Sequence, residues 1–218
     1  DEVEVEVTGE DGSTYTETRR ERVDSDAYGN AEGSEYDLAT DGAFDGQTVA
    51  VLHFYTMEGF DFSLPEQALR EKGFSVFRWI NTAPTPDALA EALESASQLW
   101  IISGQQQHLN EEHLAVIREF WESGRGLYIW GDNDPYYADA NFVSEALFGV
   151  SMSGNLMGDQ VVTLQETNGG PGVLPGHLVT TGLEYLYEGI TIATIEENEV
   201  FEPLLYGSAE NLVTAIYE

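Results

Sequence analysis

The chain has 218 residues, with 40 Asp and Glu against eight Lys and Arg, so its formal net charge at pH 7 is −32. This length suffices for one large α/β domain with some chain to spare, whereas the charge disfavours nucleic acid and anionic membrane surfaces as partners because both repel it. The absence of cysteine excludes disulfides, thiolate metal sites and cysteine nucleophiles.

Lysine is nearly missing from the sequence, since Lys72 is the single one. Acidic, lysine-poor chains are typical of saline or marine habitats, where salt screens the repulsion between carboxylates; an acidic secreted protein is the alternative. We therefore expect the cytoplasm of a salt-adapted organism, or an extracellular or periplasmic location. No run approaches the roughly 18 apolar residues of a membrane helix, and no signal peptide is visible. Both ends lie within patterned segments, so we expect a longer chain with neighbouring domains.

Residues 1–46 differ from the rest and are predicted to form an acidic N-terminal arm or tail. The opening DEVEVEV alternates acid and valine as a half-buried or edge strand does, and 11–46 is polar enough to be irregular. Positions 1, 3, 6 and 12 of an EF-hand-like loop are held by Asp24, Asp26, Gly29 and Glu35. Tyr28 occupies position 5, where an EF-hand loop has a ligand. Asp24, Asp26 and Glu35 are therefore no more than candidate ligands for Ca²⁺, and we expect no other cofactor.

From residue 47 onward, apolar runs alternate with helical patterns through short links. Such runs are typical of buried parallel strands and predict strands at 48–56, 74–80, 98–104 and 126–131. With a helix after each strand, this rhythm predicts an α/β fold over 47–218, with a three-layer, doubly wound, mostly parallel sheet of flavodoxin-like type. Beyond Val150 the rhythm loosens, and strands are predicted only in QVVTL, GITIATI and LVTAIYE.

Helix starts are marked by capping residues. Candidate caps are Ser63 with Glu66 as a capping box, Thr85 before Pro86, and Asn110. Asp134 followed by Pro135 predicts the start of the fourth helix in the same way. The preceding Asp132 and Asn133 are then either part of this structural turn or contacts for a ligand or cation.

The carboxyl ends of parallel strands are where ligands bind, at the point where the strand order reverses. We expect polar segments after the first, third and fourth predicted strands to meet there. The candidate site residues are Glu58; Gln105, Gln106 and His108; and Asp132, Asn133, Tyr136 and Tyr137. Their amides, carboxylates and tyrosine rings offer hydrogen bonds and stacking surfaces with little positive charge. Of the other histidines, His53 is expected in the core, His113 exposed, and His177 at a turn.

The segment LWIISGQQQHLNEEHLAVIREFWESGRGLYIWGDND resembles the core of class I glutamine-amidotransferase-like domains, including their ThuA-like branch, with Gly124 and Gly126 in place. GHLVTTGLEYLYEGITIA resembles the HPVTxGL segment of such domains, with Leu178 replacing the proline. The resemblance covers about 47–217. It implies a nucleophilic cysteine on the turn after the fourth strand, where this chain has Asp132 or Asn133, so glutamine hydrolysis by thiolate attack is excluded.

Two functions fit these residues. The first is a non-thiol domain that binds a neutral or cationic ligand, such as a carbohydrate, or a partner protein at the carboxyl edge of the sheet. The alternative is a diverged hydrolase in which Asp132 or Glu58 acts as the base with help from His108, with or without a cation. A purely architectural role, with the 1–46 arm closing this edge, is a third reading.

Overall fold

The computed structural model describes residues 2–8, 14–20, 41–57, 60–180 and 183–217. At its N-terminal end, strands β1 (Glu2–Thr8) and β2 (Thr14–Arg20) pair antiparallel as a hairpin. The strand predicted in DEVEVEV is confirmed, whereas the prediction of irregular chain is wrong for β2, whose Thr and Tyr residues favour a strand. The Ca²⁺ candidates Asp24, Asp26 and Glu35, and the site candidate Glu58, lie outside the described residues.

The centre of the fold is a four-stranded parallel sheet. Its strands are β3 (Thr48–His53), β4 (Ser75–Ile80), β5 (Gln98–Ile102) and β6 (Gly126–Trp130). They lie in the order β4-β3-β5-β6, and each neighbouring pair is parallel. The four predicted strands are confirmed, and the order reverses between β3 and β5, as it does in flavodoxin-like sheets.

Helices flank this sheet. They are α1 (Ser63–Glu71), α2 (Pro86–Leu93), α3 (Glu111–Glu122) and α4 (Ala138–Phe148). Because successive strand residues point to opposite faces, neighbours on β3 enter two separate cores. Leu52 packs in a core that includes Leu89 of α2 and Ile117 of α3, whereas Val51 packs in a core that includes Leu69 of α1. Among the described residues, no helix is both long and apolar enough to cross a membrane.

Two of the predicted helix caps are confirmed. The hydroxyl of Thr85 accepts a 3.3 Å hydrogen bond from the backbone N–H of Ala88 in the first turn of α2. The side chain of Asn110 accepts from the N–H groups of Glu112 and His113, both at 3.1 Å, and so caps α3. In each case a short polar side chain satisfies donors that the helix itself cannot pair.

The capping box predicted for α1 is wrong. Asp61 accepts hydrogen bonds from both the backbone N–H and the hydroxyl of Ser63, at 2.8 and 2.7 Å. Glu66 instead forms salt bridges with Arg70 at 2.8 Å and with Arg78 of β4 at 3.2 Å. A cationic partner across the helix–strand contact therefore outcompetes the backbone donor that a capping box would use.

The cap predicted for α4 at Asp134 is also wrong. The Asp134–Pro135 peptide bond is cis, and the helix begins at Ala138 without a side-chain cap from the preceding residue. The cap comes from the end of β5: the hydroxyl of Ser103 accepts from the backbone N–H of Asp139 at 2.9 Å and from the next N–H at 3.1 Å. The start of α4 is thereby fastened to the carboxyl edge of the sheet.

The C-terminal third is composed of short strands. They are β7 (Met152–Met157), β8 (Val161–Thr163), β9 (Gly172–Val173), β10 (Tyr185–Tyr187), β11 (Thr191–Ile195), β12 (Glu202–Tyr206) and β13 (Leu212–Ile216). The pairs β7–β11, β8–β10, β9–β12 and β12–β13 are antiparallel. The strands predicted at β8, β11 and β13 are confirmed. An aromatic cluster joins this part to α3 and α4 through Trp121, Phe148, Phe201 and Tyr217.

Candidate functional site

A tyrosine and a carboxylate meet where β3 and β6 end. The backbone N–H of Phe54 donates to Ile102 at 2.8 Å, which extends the β3–β5 ladder one residue beyond β3. The next residue, Tyr55, points to the opposite face, where its hydroxyl donates to Oδ2 of Asp132 at 2.9 Å. A residue that follows β3 is thus bonded to one that follows β6, across the end of β5.

The loop that carries Asp132 is held by its own backbone. The N–H of Asp132 donates to the carbonyl of Tyr136 at 3.3 Å, and the N–H of Tyr136 donates to Asn133 at 2.7 Å. The N–H of Asp134 reaches Gly154 of β7 at 2.9 Å. These bonds fix the backbone of the loop, and the hydrogen bond from Tyr55 orients the carboxylate of Asp132, so the carboxylate is preorganised and loses little conformational entropy when it binds a partner.

Aromatic rings surround Tyr55. Its ring meets those of Phe60, Trp130 and Tyr136 edge to face, with centroids 5.1, 5.1 and 5.2 Å away. Burial, followed by the hydrogen bond and the negative charge of Asp132, raises the pKa of Tyr55 to about 12. The hydroxyl therefore stays protonated at neutral pH and acts as a donor to Asp132.

A cavity of about 1200 Å³ opens beside this pair and is called the β6 cavity below. At one end it is lined by Tyr55, Phe60, Trp130, Asp132 and Asn133. From there it runs along β6 to the C-terminal strands, where its walls are largely apolar. Those walls include Ile129, Phe148, Ile192, Leu204 and Val213. The volume lies somewhat above the roughly 300–1,000 Å³ of ordinary small-molecule pockets, and the arrangement resembles theirs, with a few polar groups at one end of an apolar space.

The hydrogen-bonding groups at this end are partly used within the protein. The hydroxyl of Tyr55 is bonded to Asp132, and the side-chain amide of Asn133 donates to the carbonyl of Asp134 at 2.9 Å. Within the described ranges, Oδ1 of Asp132 and Oδ1 of Asn133 accept no hydrogen bond, and no basic side chain pairs with Asp132. What remains for a ligand at this end is these two acceptors, one of them on a charged group, together with the second N–H of the Asn133 amide and the indole N–H of Trp130, which has no hydrogen-bond partner among the described residues.

The glutamine-rich loop after β5 lies at the same edge of the sheet but does not line the β6 cavity. The ring of His108 stacks on Phe54 at 4.4 Å, and Phe54 belongs to the core on the α2–α3 face. Gln105 and Gln106 are exposed. These three candidates do not line the β6 cavity, whereas Asp132 does. The alternation of side chains beyond the strand end separates them, because Phe54 and Tyr55 point to opposite faces.

Asp139 holds this loop in place. Its Oδ1 accepts from the backbone N–H groups of His108 and Leu109, at 2.9 and 2.8 Å. The residue is fully buried, and its Oδ2 has no hydrogen-bond partner. Burial raises the pKa of this carboxyl, against the opposing effect of those two backbone donors. Asp139 thus ties α4 to the loop after β5.

Of the remaining predicted candidates, Tyr136 packs on Tyr55, and the hydroxyl of Tyr137 donates to Asp134 at 2.9 Å. Sequence reasoning missed Tyr55, Phe60 and Trp130 as site residues. The alternation within HFYT was the available signal, since it places Tyr55 on the face opposite to Phe54. Phe60 and Trp130 gave no such signal, because each lies in a stretch of sequence that is equally typical of an ordinary hydrophobic core.

The other three histidines, His53, His113 and His177, have structural roles. His53 is buried, as predicted; its Nε2 lies 2.7 Å from the carbonyl of Tyr55, and its Nδ1 lies 3.1 Å from Arg78. Burial lowers the pKa of His53, so the ring is neutral. The prediction that His113 is exposed is wrong, because it is buried and its Nε2 donates to Pro84 at 2.7 Å. His177, as predicted, supports a turn by accepting from the N–H of Val179.

A second cavity, of about 760 Å³, lies between α1 and the ends of β3 and β4. Of its charged lining residues, Glu66 forms salt bridges with Arg70 and Arg78, and Asp61 accepts hydrogen bonds from Ser63. Across the part of the chain that the structure describes, no group of three or more His, Asp or Glu side chains could hold a metal ion. The chain matches no protein-family model, and no curated protein or solved structure resembles it significantly.

Proposed function

We propose that this protein binds a small neutral or cationic ligand at the Tyr55–Asp132 end of the β6 cavity. One observation carries the proposal: a preorganised carboxylate, fixed by a tyrosine hydroxyl, opens into a cavity of about 1200 Å³ that is walled by aromatic rings. Aromatic walls supply contact area, and a small number of polar groups fix the orientation of the ligand. A carbohydrate or an organic cation fits this description.

Binding is favoured over hydrolysis because Asp132 and His108, which a hydrolase with Asp132 as its base would use together, lie apart. A general base requires a second polar group that can take or give a proton within hydrogen-bond reach. Asp132 has Tyr55 as its partner, and the pKa of about 12 keeps that hydroxyl protonated. His108, the proposed assistant, stacks on Phe54 outside the cavity.

The fold supports a further proposal, that the domain is a variant of the glutamine-amidotransferase-like architecture with three doubly wound layers. The strand order β4-β3-β5-β6 favours it, as does the placement of Gly124 between α3 and β6 and of Gly126 at the start of β6. The lack of cysteine would make it a branch without thiolate chemistry.

The experiment is calorimetric titration of the protein with a panel of neutral sugars and small organic cations, in salt that keeps the chain folded. We expect at least one panel member to bind, and Trp130→Leu to abolish or greatly weaken that binding. Gln106→Ala is the matched control, because this exposed side chain lies outside the cavity. Failure of every panel member to bind, or equal loss in both variants, would refute the proposal.

A further inference from the structure

We infer that the ligand of the β6 cavity is an organic ammonium cation, whose charged head is held between Oδ1 of Asp132 and the aromatic wall formed by Phe60 and Trp130. This inference rests on the proposed function and narrows it to one chemical class. It depends on three properties of the same end of the cavity: the hydrogen-bonding groups left over, the aromatic wall, and the field of the whole chain.

The charge of the leftover acceptors favours a cation over a sugar. The hydroxyl of Tyr55 and one N–H of the Asn133 amide are engaged within the protein. The donors left are neutral, namely the other N–H of Asn133 and the indole N–H of Trp130, whereas the free Oδ1 of Asp132 belongs to a charged acceptor. An ammonium head with N–H groups only donates hydrogen bonds, and a fully methylated one makes none and carries only positive charge. Protein acceptors alone therefore satisfy it.

The aromatic wall adds attraction for positive charge. The rings of Phe60 and Trp130 are 5.5 Å apart and both line the cavity beside Asp132. The face of an aromatic ring carries partial negative charge, and Trp attracts a cation more strongly than Phe or Tyr. A carboxylate next to such faces is complementary to a methylated ammonium group, whose charge is spread over an apolar surface.

The charge of the chain acts in the same direction. A formal net charge of −32 raises the local concentration of cations at every cleft. This field acts on every cleft, so by itself it does not favour the β6 cavity over the others. It attracts a cationic ligand and repels an anionic one. Asp132, the acid at this end, has no basic neighbour among the described residues to neutralise it.

The test compares choline with 3,3-dimethylbutan-1-ol, which has the same shape without the charge. Both are titrated into the full chain by calorimetry at one salt concentration. We expect choline to bind at least about tenfold more tightly, because a cation over a desolvated ring gains on the order of 1–2 kcal/mol. Asp132→Asn should weaken choline binding by about tenfold or more and leave the alcohol unaffected.

Glu91→Gln is the control for the general field, since it removes the same charge from the exposed surface of α2; it should leave choline binding unchanged. Equal affinity for choline and the alcohol, or equal losses in Asp132→Asn and Glu91→Gln, would overturn the cation inference. A sugar that binds and loses affinity in Trp130→Leu, while choline does not bind, would overturn it too and leave the proposed function standing. No binding by any compound would overturn both.

Discussion

The hydroxyl of Tyr55 donates a 2.9 Å hydrogen bond to Asp132, although 77 positions of the chain separate the two residues. The contact forms because β3 and β6 are parallel members of one sheet and both end at the same edge, with β5 between them. It fixes the carboxylate at one end of the β6 cavity and, after burial, is the next cause of the raised pKa of the tyrosine.

Replacing Asp132 by Asn should lower the pKa of Tyr55 from about 12 towards 10, because one hydrogen bond and one negative charge that favour the neutral phenol are lost. The pKa should remain above 10, since burial is the largest cause of the shift. The measurement is an NMR titration of tyrosine ring carbons, with Tyr55→Phe to assign the signal. Asp159→Asn is the control: it should change the pKa of Tyr187, to which Asp159 is bonded, and leave that of Tyr55 alone.

The raised pKa of Tyr55 also predicts how the stability of the protein depends on pH. A phenol whose pKa rises from 10.0 to about 12 on folding contributes stability that is complete below pH 10 and is lost as the pH rises through 12. We expect the stability difference between the wild type and Tyr55→Phe to shrink over that interval. A difference that stays constant from pH 9 to 12 would contradict the raised pKa of Tyr55.

Asp139→Asn should change the pH dependence of unfolding. The pKa of Asp139 is raised in the folded state from 3.8, so the folded protein holds a proton that the unfolded chain releases. Its contribution to stability is complete below pH 3.8 and is lost as the pH rises through the raised pKa. Urea unfolding should show that wild-type stability falls relative to Asp139→Asn as the pH increases above 3.8.

Asp61→Asn provides a control of opposite sign for that experiment. Hydrogen bonds from Ser63, first from its side chain and then from its backbone, lower the pKa of Asp61. Its contribution is therefore present above pH 3.8 and is lost as the pH falls. Two variants with the same slope would show that the pH dependence reflects overall charge and has no local origin.

Ser103→Ala should destabilise the protein by about 1–2 kcal/mol, because two backbone donors of α4 lose their acceptor inside the core. Chemical denaturation measures this directly. Ser95→Ala is matched in chemistry but lies on the surface, and it should change the free energy of unfolding by less than about 0.5 kcal/mol. Equal effects in the two variants would mean that the first turn of α4 finds another cap.

Gly104→Ala should cost about 1–3 kcal/mol, because the new Cβ would lie 2.5 Å from the carbonyl oxygen of Phe54, a backbone atom that cannot move aside. Gly126→Ala is the control, since there the nearest atom is a flexible side-chain carbon of Gln98 at 3.1 Å. Thermal or urea unfolding of both variants tests the close approach of β5 and the end of β3.

The sequence predicted the parallel sheet well because buried strands are signalled locally. Continuous apolar runs such as that of β3 have few other interpretations, and Thr85 and Asn110 cap helices with donors a few residues away. The short strands β7, β9, β10 and β12 were missed, because their residues are polar or their runs too brief to show periodicity. Their pairing depends on partners far along the chain.

The candidate site was predicted only in part, because some of its contacts depend on residues far apart in the chain. Placing Asp132, Asn133 and Tyr136 near one edge required only the winding of the chain. To predict that Asp132 lines the cavity and His108 does not, one must know on which face of the sheet each side chain lies. That depends on the register at the end of β3, where a shift of one residue exchanges the two faces. Asp134 was misread as a cap because Ser103, which performs that task, comes from a different strand.

The central claim is that the Tyr55–Asp132 end of the β6 cavity holds an organic cation. Its most direct test is a two-dimensional ¹H–¹⁵N NMR titration with choline, in which Trp130→Phe assigns one indole signal. We predict that the indole of Trp130 and the amides of Asp132 and Asn133 shift together and saturate, while the amides of Gln105 and Gln106 stay in place. Shifts confined to the glutamine loop, or spread evenly over the acidic surface, would contradict the claim.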